Sequence, residues 1–173
     1  MTFEAATPAD VTAIVALVES AFRGDASRAG WTTEADLLNG RRTGPDEIGS
    51  ILADPDRSVL VERDVDGSLL ASVVLRRDGE AAWLGMLSVS PTQQARGIGR
   101  RMVEGAESWA ATRWGSRRIR MTVIVQRTEL IAWYERRGYR RTGETAPFFY
   151  GDERFGMPKR PDLSFIVLEK ALP

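Results

Sequence analysis

The chain has 173 residues, 43% of them hydrophobic and 28% charged, with 24 basic and 24 acidic side chains and a net charge of zero. It contains no cysteine and no histidine, which excludes disulfides, thiol catalysis, a histidine-based triad, an imidazole general base and a His–Cys metal site, so no metal is expected. No apolar run approaches the roughly 20 residues that cross a bilayer, and the N-terminus lacks a basic-then-apolar signal pattern; a cytoplasmic protein of one domain over residues 1–173, with no membrane partner, is expected.

Residues 2–6 suit a short strand. Thr7-Pro8-Ala9-Asp10 reads as a helix start, with a threonine cap, proline at the first helical position and an acid in the first turn. Val11, Ile14, Val15, Val18 and Phe22 then recur at helical spacing and make one apolar face. Residues 23–30 are polar and loop-like; Thr32 or Thr33 can cap a short helix through Leu37-Leu38, and Pro45 opens another to Leu52. Residues 58–63 and 69–75 are β-rich and flank Val65-Asp66-Gly67-Ser68, which predicts a hairpin. Asp78-Gly79 makes a second turn into a long strand, 81–89. A helix from about Gly97 to Trp114 stops at Gly115, a strand covers 119–125, and a helix over 128–137 ends on Gly138. Strands at 140–142 and 164–169 close the chain, with 147–161 between them as a long, aromatic-rich loop. Strands and helices interleaved in this way imply an α/β or α+β fold.

The stretch from Leu87 to Met102 carries the chemistry. Gly97 and Gly99 lack a Cβ, so backbone N–H groups can converge on one ligand, and the helix that opens there adds its unpaired N–H groups and the positive end of its dipole. That is a cradle for a phosphate-bearing cofactor. A dinucleotide site would need a third glycine where Met102 stands, and an acid where Gln126 follows the next strand. A P-loop would need a Gly-Lys-Ser/Thr run, which is missing. Charge supports an anionic partner: twelve arginines against four glutamates lie between Arg96 and Arg141, a local net of +8. Coenzyme A phosphates or RNA would suit such a surface, but the aromatic pattern of an RNA-binding sheet is absent and no nucleic acid is expected. Solvated helix faces are the other reading of these arginines, Arg100 and Arg101 included.

The spacing Gln94-x-x-Gly97-x-Gly99, with Val89 five residues ahead, resembles the cofactor motif of the GNAT superfamily of acetyl-CoA-dependent N-acetyltransferases. Ala132-Trp133-Tyr134-Glu135-Arg136-Arg137-Gly138-Tyr139 resembles the family's later helix, which usually ends in Tyr-x-x-x-Gly-Phe. The two motifs occur in the family's order, and the resemblance extends loosely over almost all of the chain.

The resemblance implies a GNAT-like fold: a twisted, mostly antiparallel sheet of six to seven strands with about four helices, splayed between 81–89 and 119–125 at the cofactor. It implies that acetyl-CoA is held by backbone N–H groups of Gln94, Ala95, Arg96, Gly97, Ile98, Gly99 and Arg100, and that Leu87 and Val89 pair with the pantetheine arm. The Leu87 N–H would also serve the oxyanion of a tetrahedral intermediate, and Tyr134 would be the general acid to the departing thiolate. A free phenol, with a pKa of about 10, is a proton donor at neutral pH. Thr128 stands where many relatives have asparagine, which weakens its contact to the cofactor or to Tyr134. Trp83 stands where some relatives have a glutamate base, leaving water, Glu34, Glu80 or no base at all. Trp31, Glu34 and Trp83 are expected to bind the acceptor, with Phe22, Phe149 and Tyr150 as further wall and Asp36 as a second acid; core packing is the other reading of each aromatic. The implied activity is N-acetyl transfer to a primary amine of a small molecule or peptide, the alternative being a non-catalytic acyl-CoA sensor of the same fold. A homodimer is expected from the habit of such enzymes.

Overall fold

The computed structural model describes residues 2–173. Strand β1 (Thr2–Ala5) leads into a 3-10 turn at Pro8–Asp10 and helix α1 (Val11–Phe22). The start of the turn is held by Asp10, whose carboxylate accepts from the Thr7 N–H at 2.8 Å and from the Thr7 hydroxyl at 3.1 Å. The apolar face of α1 buries Ile14, Leu17, Val18, Ala21 and Phe22. A four-residue helix, α2 (Gly24–Ser27), β2 (Leu38–Asn39) and helix α3 (Pro45–Ala53) follow.

Strands β3 (Arg57–Arg63), β4 (Leu69–Asp78) and β5 (Ala81–Val89) form the expected meander. Helix α4 (Ile98–Trp114) leads to β6 (Arg118–Ile124), and helix α5 (Thr128–Glu135) leads to β7 (Arg140–Pro147). Strands β8 (Met157–Pro158) and β9 (Ser164–Ala171) complete the chain. The main sheet has seven strands in the order β1-β3-β4-β5-β6-β9-β7, antiparallel throughout except for β5 and β6.

Period-two alternation distributes the core across both faces. In β3, Val59 and Val61 pack with Ile14, Val18, Ile48 and Ile51 of α1 and α3, whereas Leu60 joins Met102, Val103 and Ala106 of α4 on the other face. No helix of the described residues is long and apolar enough to cross a membrane.

Two irregularities shape the centre. The β4–β5 register jumps from Ser72 opposite Ser88 to Val74 opposite Gly85, so Met86 and Leu87 together face Val73. Met86 sits at the bulge in a left-handed conformation, φ 47°, which a non-glycine residue adopts only at a cost. The parallel pairing of β5 with β6 runs only from Ala81–Trp83 against Arg118–Arg120. Beyond Trp83 the strands part, as the resemblance implied.

Three expectations need correction. Residues 32–38 form one turn instead of a helix: the Thr33 hydroxyl accepts from the Ala35 N–H at 3.0 Å, the Glu34 carbonyl takes both the Leu37 and Leu38 N–H groups, and β2 starts at once. The 23–30 loop contains α2, held by the Ser27 hydroxyl donating to the Gly24 carbonyl at 2.8 Å. The supposed 147–161 loop contributes β8, which pairs with β2, and β7 runs on to Pro147 past a register break between Arg141 and Thr145.

Candidate active site

The splay opens a cleft of about 450 Å3. Its floor is β5 from Leu84 to Leu87 with Val89, and β6 from Met121 to Ile124. One wall carries Gln94, Ala95, Gly97, Gly99 and Arg100 at the start of α4, with Leu130, Trp133, Tyr134 and Arg137 of α5 and its end. The opposite wall carries Phe22, Trp31, Thr32, Glu34 and Arg42, closed by Phe149 and Phe165.

Ala95 (φ 66°) and Gly97 (φ 78°) are both left-handed, a conformation found where successive backbone amides form an anion-binding concavity. Helix α4 has no side-chain cap on its first turn and no acid there, so its leading N–H groups remain available to an anion. A Cβ on Gly99 would lie 3.6 Å from Val89 and 3.7 Å from Trp133, in ordinary contact. Ile98 is buried beneath the cradle as part of the core, and Arg96 is exposed beside it. Arg100 faces the cleft but pairs with Glu104 at 2.7 Å, and Arg101 is drawn to the buried Glu62 at 2.6 Å.

The Gln94 side chain is a clamp. Its Oε1 accepts from the Trp31 N–H at 2.9 Å and its Nε2 donates to the Val89 carbonyl at 3.2 Å, joining the end of β5 to the opposite wall. The Trp31 and Trp133 rings lie 6.3 Å apart, one from each wall.

Tyr134 lies on the inward face of α5, only 4% exposed, packed edge-on against Trp133 at 5.0 Å and Tyr139 at 5.6 Å. Its hydroxyl has no hydrogen-bond partner among the described residues. Burial pushes its pKa up to about 12, with Arg127 and Arg137 pulling the other way, so the phenol stays protonated at neutral pH. Tyr139, by contrast, spends its hydroxyl on Glu107 at 2.9 Å.

Glu34 lines the opposite wall with both oxygens engaged, accepting from Arg23 at 2.7 Å and from Arg127 at 2.9 Å. Burial raises its pKa, but the guanidinium groups of Arg127, Arg42 and Arg23 outweigh this and hold it below the ordinary range. Arg127 also donates to the Thr32 hydroxyl at 2.9 Å. Arg42 and Arg127 stand against the same Phe22 ring, at 5.4 and 5.9 Å.

Other expected residues fall elsewhere. Trp83 lies at the closed end of the parallel pair, outside the cleft; its indole N–H donates to Asp78 at 3.1 Å and its ring meets Arg76 and Arg120. The Thr128 side chain is exposed and does not line the cleft. The Tyr150 hydroxyl bridges Arg160 and Leu163, Asp36 pairs with Arg28, and Glu80 lies near Arg117. Sequence reasoning missed Arg42, Arg127, Trp133 and Arg137. The early signals were the arginine excess over 96–141, which includes Arg127 and Arg137, and the 132–139 motif, which includes Trp133 and Arg137.

The comparisons accord with this geometry. The family model for the acetyltransferase (GNAT) family matches residues 15–139. No curated protein matches the chain by sequence. Among solved structures, the ribosomal-protein-S18-alanine N-acetyltransferase of Escherichia coli superimposes with a TM-score of 0.73 at 15% identity, covering 99% of this chain and 93% of that one. A spermidine N-acetyltransferase of Vibrio cholerae gives 0.69 at 16% identity, with 99% and 95% covered. A nourseothricin acetyltransferase gives 0.69 at 20% identity, with 99% and 98% covered. With a family model spanning most of its length and a sheet that opens at the glycine cradle, the chain belongs to the GNAT acetyltransferase family, and is an acyltransferase by class.

Proposed function

We propose that the protein moves an acetyl group from acetyl-CoA to a primary amine of a small molecule or peptide, with Tyr134 as general acid. The observation that carries this reading is the Tyr134 hydroxyl: protonated, without a hydrogen-bond partner among the described residues, and on the same wall as the cradle. Amides from Gln94 to Arg100 would hold the diphosphate, and the uncapped start of α4 supports that fit. The edge of β5 at Leu87 and Val89, unpaired with β6, offers backbone groups to the pantetheine arm. Bound there, acetyl-CoA supplies the thioester.

The remaining steps fall to this chain and the acceptor. The amine attacks the carbonyl carbon, forming the N–C bond and a tetrahedral intermediate, whose collapse breaks the C–S bond. The Leu87 N–H, just past the Met86 bulge, supports the carbonyl oxygen while it carries charge. The amine's proton leaves to water, the Tyr134 proton goes to the sulfur, and solvent restores the phenol. Glu34 is a poor base, because both oxygens are taken and its pKa is depressed. A lysine-like amine, with a pKa near 10.4, is neutral in only about one molecule in 2,500 at pH 7, so the reading favours an acceptor whose amine titrates lower.

The test is Tyr134→Phe, assayed by CoA-thiol release and by direct CoA binding. Turnover should fall by about a hundredfold or more, the scale of general acid catalysis, with CoA affinity retained. Unchanged turnover would remove Tyr134 from the mechanism, and binding without turnover in the wild type would leave an acyl-CoA sensor.

A further inference from the structure

The cleft is unexpectedly positive. Besides Glu34, every charged side chain that lines the cleft among the described residues is an arginine, namely Arg42, Arg100, Arg127 and Arg137. Glu34 has no free oxygen to offer a ligand, because Arg23 and Arg127 already occupy both. Arg42 differs from its neighbours. Among the described residues its guanidinium has no carboxylate within 4.0 Å and no hydrogen bond, while its backbone N–H is fixed by Glu19 at 2.6 Å. The Phe22 ring supports it from one side at 5.4 Å, and its side chain is half-buried on the cleft wall.

We infer that the acceptor is a small amine that also carries a carboxylate, and that Arg42 is the residue that receives it. This rests on the acetyl-transfer reading above and narrows its substrate class. A planar guanidinium with free N–H groups matches a carboxylate in bidentate geometry. The same positive cleft disfavours a polyamine, which would need an acid with a free oxygen. It also disfavours the ammonium form of the acceptor amine, since like charges nearby shift the equilibrium toward the neutral, nucleophilic form. One set of arginines thus orients the acceptor and eases its deprotonation without a protein base.

The experiment compares α-amino acids with their amides and with the corresponding decarboxylated amines. Each is assayed for CoA-thiol release with acetyl-CoA and for thermal stabilisation of the CoA-loaded protein. The free acids should lead by about tenfold or more in kcat/KM, the scale of one hydrogen bond to a charged group. Arg42→Gln should erase that preference without changing CoA affinity, and Arg42→Lys should restore part of it. Spermidine or the decarboxylated amines leading, or a preference that survives Arg42→Gln, overturns the inference while leaving acetyl transfer intact. Arg42-dependent stabilisation by free acids without thiol release keeps the carboxylate site and discards the acetyl-transfer reading. Neither stabilisation nor release with any free acid discards the inference.

Discussion

Arg127 donates to Glu34 at 2.9 Å across 93 positions of sequence, with the two side chains only 11% and 10% exposed. Arg23 takes the second oxygen, so one carboxylate ties the start of α5 to the segment after α1. Removing one partner of a buried pair leaves the other charge uncompensated and costs about 3–5 kcal/mol. Glu34→Ala is therefore expected to lower stability by that order in urea unfolding at pH 7. Its pKa is held below the usual 4.5 in the folded state. The stabilisation is then whole above about pH 4.5 and is lost as pH falls through the depressed folded value. Glu34→Gln should flatten this acid limb; an unchanged limb would show that other carboxylates set it.

The Tyr134 phenol predicts a pH profile. With its pKa pushed up to about 12, it remains a donor through the alkaline range. Turnover should rise as the acceptor amine deprotonates and then level off, with no descending limb below about pH 11 from this group. A fall near pH 10 that disappears in Tyr134→Phe would mean that the phenol titrates normally.

Gly97 and Gly99 should respond in opposite ways. Gly97 has φ 78°, and an L-residue pays about 1–2 kcal/mol in that region. Gly97→Ala is expected to distort the cradle and weaken CoA binding by about tenfold, which corresponds to 1.4 kcal/mol. At Gly99 an added Cβ meets Val89 and Trp133 only at 3.6 Å and beyond. Gly99→Ala should leave CoA affinity near wild type, and the helix should gain up to about 1 kcal/mol in propensity. Calorimetric titration with CoA and thermal melts separate the two.

The Gln94 clamp is testable by a double-mutant cycle. A Cβ on Gly30 would fall 2.3 Å from Gln94 Oε1, too close to coexist with the amide as placed. Gly30→Ala should weaken CoA binding in the wild type but cost little in a Gln94→Ala background, with a coupling of about 1 kcal/mol. Additive effects would show that the clamp does not couple Trp31 to the end of β5.

The left-handed loop ahead of α4 and the inward placement of Tyr134 were legible in the sequence because both are local: Gly97 permits the turn, and α5 alone fixes which way its tyrosine points. The acceptor wall was not legible, because its key contacts join residues far apart. Nothing near Glu34 announces Arg127, and nothing in Gly40-Arg41-Arg42-Thr43 shows that one arginine is turned to the cleft. Trp83 was misplaced for a related reason. The strands part only after it, and the point of divergence depends on tertiary packing that alternation along β5 does not encode. The short helix expected after Thr32 failed because the Thr33 hydroxyl closes a turn locally, a competition that favours turns for this residue type.

The short parallel seam between Ala81–Trp83 and Arg118–Arg120 has a mechanical meaning. Past it, two blocks of sheet face each other without a shared ladder, and a thioester cofactor bound as proposed would supply the missing rungs. On that reading the occupant would act as a keystone as well as a reactant. Melting should shift upward with nucleotide thioester concentration, by about 2.7 kcal/mol of added stability at a hundred times Kd.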